Sequence, residues 1–153
     1  MAKTRARKEM DPFGYAMNFL SYRPRSCKEV DQALRKHGVS PTVREEVLHR
    51  LQDLGLLNDV AFAESWIHFR TAPANPKGRQ GVRQELREKG LDEDVIEEAM
   101  AQYYPSQLEE DLVEVLLAGS KEKICRQTGD QREKALHQAA NRLQYRGFGS
   151  SVI

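Results

Sequence analysis

Several signals are missing from this 153-residue chain, and each absence excludes a class of protein. There are two cysteines, Cys27 and Cys125, far apart and without ligand spacing. That rules out a disulfide framework and a zinc finger. No uninterrupted apolar run is longer than Val115-Leu116-Leu117-Ala118, far short of the about 20 residues that span a membrane. The N-terminus is basic and lacks the apolar stretch of a signal peptide. No G-x-x-x-x-G-K-[ST] or G-x-G-x-x-G loop occurs, so no nucleotide cradle is indicated. His37, His49, His68 and His137 form no i,i+4 pair, and Ser21, Ser26 and Ser65 lack a G-x-S-x-G setting. No stretch alternates apolar and polar residues as a half-buried strand would. The expectation is a cytoplasmic globular protein without catalytic residues, metal or cofactor. Nothing in it requires an oligomer, so a monomer is expected.

What the chain does have is helical spacing. Val43, Val47, Leu48, Leu51 and Leu54 share one helix face, as do Leu108, Leu112 and Leu116. Start signals are frequent. Ser26 with Glu29, Ser106 with Glu109 and Asp130 with Glu133 have capping-box spacing. Ser40 precedes Pro41, and Asn58 or Asp59, and further on Asp92, stand where N-caps are wanted. Gly38, Gly55, Gly90 and Gly147 each follow a periodic stretch, as a left-handed helix end requires. These marks predict eight helices, at about residues 11–22, 26–37, 41–54, 59–71, 79–89, 93–103, 106–125 and 131–146. Pro73 and Pro76 make 71–77 a loop, and a ninth helix would begin near Ser150.

The helices repeat. At an offset of 52, Leu34, Gly38 and Val39 fall on Leu86, Gly90 and Leu91. At a further offset of 57, Leu143, Gly147 and Phe148 fall on the same three, and Val152 on Val95. The unit is three helices, present about three times, the last one incomplete. Fixed-period self-similarity implies an array in which each unit packs on the next, extended and with a long concave surface. The expected division is a basic disordered arm (1–10), repeats at 11–57 and 58–104, and an incomplete repeat at 105–153.

Charge is uneven beneath a net of +1. Residues 1–90 hold 17 Lys/Arg against 11 Asp/Glu, residues 91–114 nine acids and no base, and residues 115–153 seven bases against three acids. Arg79, Arg83 and Arg87 are spaced by four and so line one helix face, with Arg70, Lys77 and Lys89 near its ends. Such a stripe suits phosphates or an acidic protein surface, since guanidinium groups grip both with a bidentate fork. Gly78 at the start of that helix would let a phosphate approach the backbone N–H groups. Arg23, Arg25, Lys28, Arg35, Arg142 and Arg146 are further candidate contacts. The acidic block could hold a metal, but Asp92 to Asp94 and Glu109 to Asp111 also suit helix starts, the plainer reading. Phe62, Trp66 and Phe69 have core spacing. Tyr22, Tyr103, Tyr104 and Tyr145 lie near helix ends and are expected to be partly exposed.

Four stretches in order resemble the RecX family, bacterial regulators of the RecA recombinase. Gly55-Leu-Leu-Asn-Asp59-Val-Ala-Phe62-Ala63 is similar to the family's "G-Y-L-N-D-x-x-F-A", with Leu56 at the usual aromatic position. Lys77-Gly78, Val82, Leu86 and Lys89-Gly90-Leu91 resemble its "K-G-x3-I-x3-L-x2-K-G-I". Arg25-Ser26 with Glu29, Leu34 and Gly38 matches the first repeat, and Leu143 with Arg146-Gly147-Phe148 the last. The resemblance spans about residues 12–152. It implies an all-helical, elongated array of three tandem three-helix repeats without enzymatic activity. It implies binding along the groove of RecA filaments on single-stranded DNA, limiting filament growth, strand exchange, ATP hydrolysis and co-protease activity, with weak, non-specific contact to the DNA. No membrane and no small-molecule substrate are implied. The competing reading is a helix-turn-helix-like DNA-binding module acting without RecA.

Overall fold

The computed structural model describes residues 10–153. The basic arm expected at the N-terminus falls, up to residue 9, outside them. Among the described residues all regular structure is helical: α1 (Pro12–Tyr22), α2 (Cys27–Lys36), α3 (Pro41–Asp53), α4 (Asp59–Arg70), α5 (Arg79–Glu88), α6 (Glu93–Tyr103), α7 (Ser106–Cys125) and α8 (Asp130–Tyr145). No helix is long and apolar enough to cross a membrane. Residues 150–152 form a turn rather than a ninth helix.

Two compact units divide between Asp59 and Val60. In the first, α1 packs on α2 and α3, and α2 on α3. Its core is Ala16, Val30, Leu34, Val47, Leu51 and Leu57. In the second, α5 packs on α6 and α7 on α8. One core there runs from Phe62 and Ile67 through Val82, Leu86, Ile96 and Met100 to Leu112, Leu143 and Phe148. The repeat-related Leu34 and Leu86 are both fully buried, each stabilising its unit by about 1.5–3 kcal/mol.

The sequence register has a structural cause. After α2, α5 and α8 the chain turns through Gly38, Gly90 and Gly147, with φ of 76°, 81° and 82°. In each turn the next residue's N–H reaches back five positions: Val39 to Leu34, Leu91 to Leu86, Phe148 to Leu143. This is the Schellman arrangement, with an apolar residue folded back onto the helix.

The caps differ from expectation in part. Ser26 and Glu29 form a reciprocal capping box, and Asp11 accepts from the N–H groups of Phe13 and Gly14. Ser106 is instead the first helical residue after Pro105, and Gly129 rather than Asp130 precedes α8. Ser40 and Asp92 hold the N-cap position without a side-chain hydrogen bond.

The second and third repeats meet backbone to backbone. The N–H of Gly78 donates to the Arg146 carbonyl (2.9 Å), and those of Gln80 and Gly81 to the Gly147 carbonyl (3.1 and 3.3 Å). A Cβ on Gly78 or Gly147 would overlap this crossing. Buried Glu109 accepts from the N–H of Arg79 (3.0 Å) and of Gly149 (3.3 Å). The start of α5 is therefore closed by protein. Gly78 serves chain packing there, and its N–H is not offered to a phosphate.

Candidate functional site

The predicted stripe lies on α5, but its charges are largely answered within the second unit. Arg83 pairs with Glu97 of α6 at 2.9 Å. Arg87 grips Glu93 with both arms of its fork, at 2.6 and 2.9 Å. Those hydrogen bonds hold the Glu93 carboxyl below the usual carboxylate range and raise the Arg87 guanidinium. Arg79 donates to the Ser106 hydroxyl at 3.1 Å, with no carboxylate partner among the described residues. The acids at the start of α6 thus act partly as partners of α5. Among the described residues no three His, Cys, Asp or Glu side chains gather as metal ligands.

Arg70 and Lys77 converge on Glu85. Arg70 Nε lies 2.8 Å from it, Lys77 Nζ also bonds to it, and Trp66 Nε1 donates at 2.9 Å. Burial pushes the Glu85 carboxyl up, but the bonds from Lys77 and Trp66 and the Arg70 and Lys77 charges prevail and hold it low. The Trp66 ring is flanked by Arg70 and Lys89, each 5.0 Å from its centroid. Sequence reasoning missed Glu85 as the centre. Its partners are 8 to 19 residues away, so no local spacing marks it.

The other candidates are scattered. Arg23 pairs with Glu29 at 2.8 Å. The Arg25 guanidinium sits 4.0 Å over the Phe19 ring, and burial and then Arg23 lower its pKa. Lys28 and Arg35 stand exposed on α2. Arg142 in the last turn of α8 and Arg146 at its C-cap line a cleft of about 110 Å³ with Ser120, floored by Leu116, Leu117 and Leu143. Among the described residues Arg142 donates to the Gln138 carbonyl (3.4 Å), and Arg146 Nη1 has no hydrogen-bond partner. Like charges one turn apart repel.

Aromatic placement departs from expectation at two positions. Tyr104 is fully buried and donates to the Lys77 carbonyl at 2.7 Å, and burial raises its phenol. Phe69 is 64% exposed instead of joining the core. Tyr22 and Tyr145 are exposed.

Comparison with known proteins gives two family matches, one inside the first unit and one almost wholly inside the second. Residues 13–51 match the first three-helix domain of RecX, and residues 58–100 the second. The regulatory protein RecX of Bacillus subtilis is 40% identical over 145 residues, which is 92% of this chain and 52% of the relative. That of Prosthecochloris aestuarii is 36% identical over 140 residues, covering 90% and 85%. The chain thus spans about half the length of its Bacillus relatives and most of the Prosthecochloris one. The crystal structure of RecX from Lactobacillus salivarius superposes with a TM-score of 0.80 at 25% identity, covering 92% of this chain and 88% of that one. A second RecX crystal structure gives 0.74 at 26% identity, covering 92% and 67%.

Proposed function

The chain belongs to the RecX family, and on that premise we propose that it regulates the RecA recombinase, chiefly as an inhibitor. It acts in the cytoplasm, seated in the groove of RecA filaments on single-stranded DNA. There it limits filament extension, and with it strand exchange, ATP hydrolysis and co-protease activity, so that DNA repair and the SOS response are restrained. The observation that carries the reading is the pair of family domains in one chain. Two modules bound to neighbouring protomers multiply weak contacts, so a filament is held far more tightly than a free protomer.

The charge pattern supports an acidic protein surface as the main contact. Arg83 and Arg87 already have carboxylate partners, as do Arg70 and Lys77. Arg79, Arg142 and Arg146 in the second unit, with Lys28 and Arg35 in the first, carry the contact. The acidic character of α6 speaks against a helix-turn-helix reader, whose recognition helix must approach phosphates.

The test is ATP hydrolysis by preformed RecA filaments on single-stranded DNA, with this protein titrated below one copy per protomer. Substoichiometric loss of activity is the expected result. An Arg142→Glu/Arg146→Glu variant should lose about tenfold or more in potency, the cost of removing charge-assisted contacts. No effect of the folded wild-type chain overturns the reading.

A further inference from the structure

Within the first unit a groove of about 300 Å³ opens between α1 and α2. Tyr15 and Phe19 line its α1 side, one turn apart, with nearly parallel rings 6.2 Å from centre to centre. Gln32, Ala33, Lys36 and His37 line its α2 side. The repeat explains why there is space here. At the offset of 52, Ala33 falls on Glu85 and His37 on Lys89. In the second unit Glu85 is met by Trp66 and Arg70, and Lys89 lies 5.0 Å from the Trp66 ring. In the first unit His37 likewise meets an aromatic ring, that of Tyr15, at 4.4 Å. Ala33 has no side chain to match Glu85, so the groove stays open.

The charges beside the groove have one sign left over. The acids of α2 are engaged, Glu29 with Arg23 at 2.8 Å and Asp31 with Arg44 at 2.9 Å. Lys28, Gln32 and Lys36 are spaced by four and so follow one face of α2. Both lysines are exposed, and neither has a carboxylate partner among the described residues.

We propose that this groove receives an acidic polypeptide segment presenting a large apolar side chain. The side chain enters beside Tyr15, Phe19 and Ala33, and carboxylates flanking it meet Lys28 and Lys36. The inference deepens the function proposed above and rests on it, the segment being part of the RecA surface within the filament. Charge complementarity sets the sign of the occupant. The chain's own first nine residues, with four bases against one acid, have the wrong sign. The volume is at the small end of ligand sites, about 300–1,000 Å³, and suits one large side chain. Nucleic acid fits less well. A stacked base needs a free ring face, yet the Arg25 guanidinium sits 4.0 Å over Phe19 and His37 lies against Tyr15. With seven Lys/Arg against seven Asp/Glu in residues 10–59, the first unit also has little pull on a polyanion.

Co-sedimentation of the full chain with RecA filaments on single-stranded DNA measures the contact directly. Ala33→Glu places in the groove the residue that the second repeat carries there. Lys28→Glu/Lys36→Glu reverses the charge beside it. Each should weaken binding about tenfold or more. The lysine variant should also flatten the salt dependence of binding, which a merely structural loss would leave unchanged. Glutamate is a good helix former, and circular dichroism checks that both variants fold. Unchanged filament binding by either folded variant overturns the proposal and leaves the function standing. A wild-type chain that does not bind filaments overturns both. An equal loss of binding to a bare labelled oligonucleotide would make nucleic acid the occupant. Self-association of the wild-type chain in sedimentation equilibrium, abolished by both variants, would make it a second copy. Either result overturns the acidic segment.

Discussion

Glu85, on α5, gathers the Trp66 indole and the Arg70 guanidinium from α4 and the Lys77 ammonium from the following loop. The three donors leave its carboxylate ionised below the usual range. A carboxyl whose folded pKa is depressed stabilises the fold above its unfolded pKa, near 4.3, and loses that stability as pH falls through the folded value. Glu85→Gln should therefore cost about 1–2 kcal/mol at neutral pH, a range already discounted for partial solvent screening. The difference between wild type and variant should shrink as pH falls below about 4. Urea unfolding at a series of pH values measures both. A constant difference down to pH of about 3 would assign the loss to shape rather than charge. By contrast, the exposed Arg126–Glu122 pair is screened by water and contributes little.

At the scale of the element, one turn recurs with two different burdens. Gly38 and Gly147 both close a second helix with nearly the same positive φ. Around Gly38 a Cβ would meet nothing, whereas at Gly147 it would overlap the backbone of Gly81. Gly38→Ala should cost about 1 kcal/mol, the left-handed conformation alone. Gly147→Ala should cost about 3 kcal/mol or more, because the crossing of α5 and the end of α8 must also open. Thermal unfolding of the two variants separates these contributions. Equal losses would mean that the crossing adds no stability. The comparison also shows what could be read in advance. Gly38, Gly90 and Gly147 mark helix ends by chemistry that is local in sequence, so the helices were legible to within a residue or two. The crossing was not, because Gly78 and Gly147 are far apart in the chain and neither carries a side chain to betray contact. The same reason explains Glu109. It has capping-box spacing from Ser106 but spends its carboxylate on Arg79 and Gly149. The basic stripe was legible as a helix face. Its neutralisation by Glu93 and Glu97 depends on how α6 packs against α5, which spacing within α5 cannot reveal.

Over the whole molecule, the distribution of charge predicts how strongly the chain should hold nucleic acid. Residues 10–59 hold seven Lys/Arg against seven Asp/Glu, and residues 60–153 hold thirteen against fifteen. The excess of positive charge sits in residues 1–9, where Lys3, Arg5, Arg7 and Lys8 face one acid. A chain whose two units are neutral or slightly acidic has little long-range pull on a polyanion. Its hold on bare single-stranded DNA should be weak, roughly 10⁻⁴–10⁻⁶ M at physiological salt. Four basic residues engaged with phosphates would give log K a slope of about −3 against log salt on a single strand, at about −0.7 per contact. Removing residues 2–9 should take away most of that slope. Fluorescence titrations of a labelled oligonucleotide across a range of salt would measure it for both chains. A slope much steeper than −3 that survives the truncation would require a phosphate-binding face built from the units themselves, despite their internal pairing. The DNA-binding module would then be the better account. A shallow slope, lost with the N-terminal residues, would fit the proposed contact of Arg79, Arg142 and Arg146 with carboxylates on a protein surface.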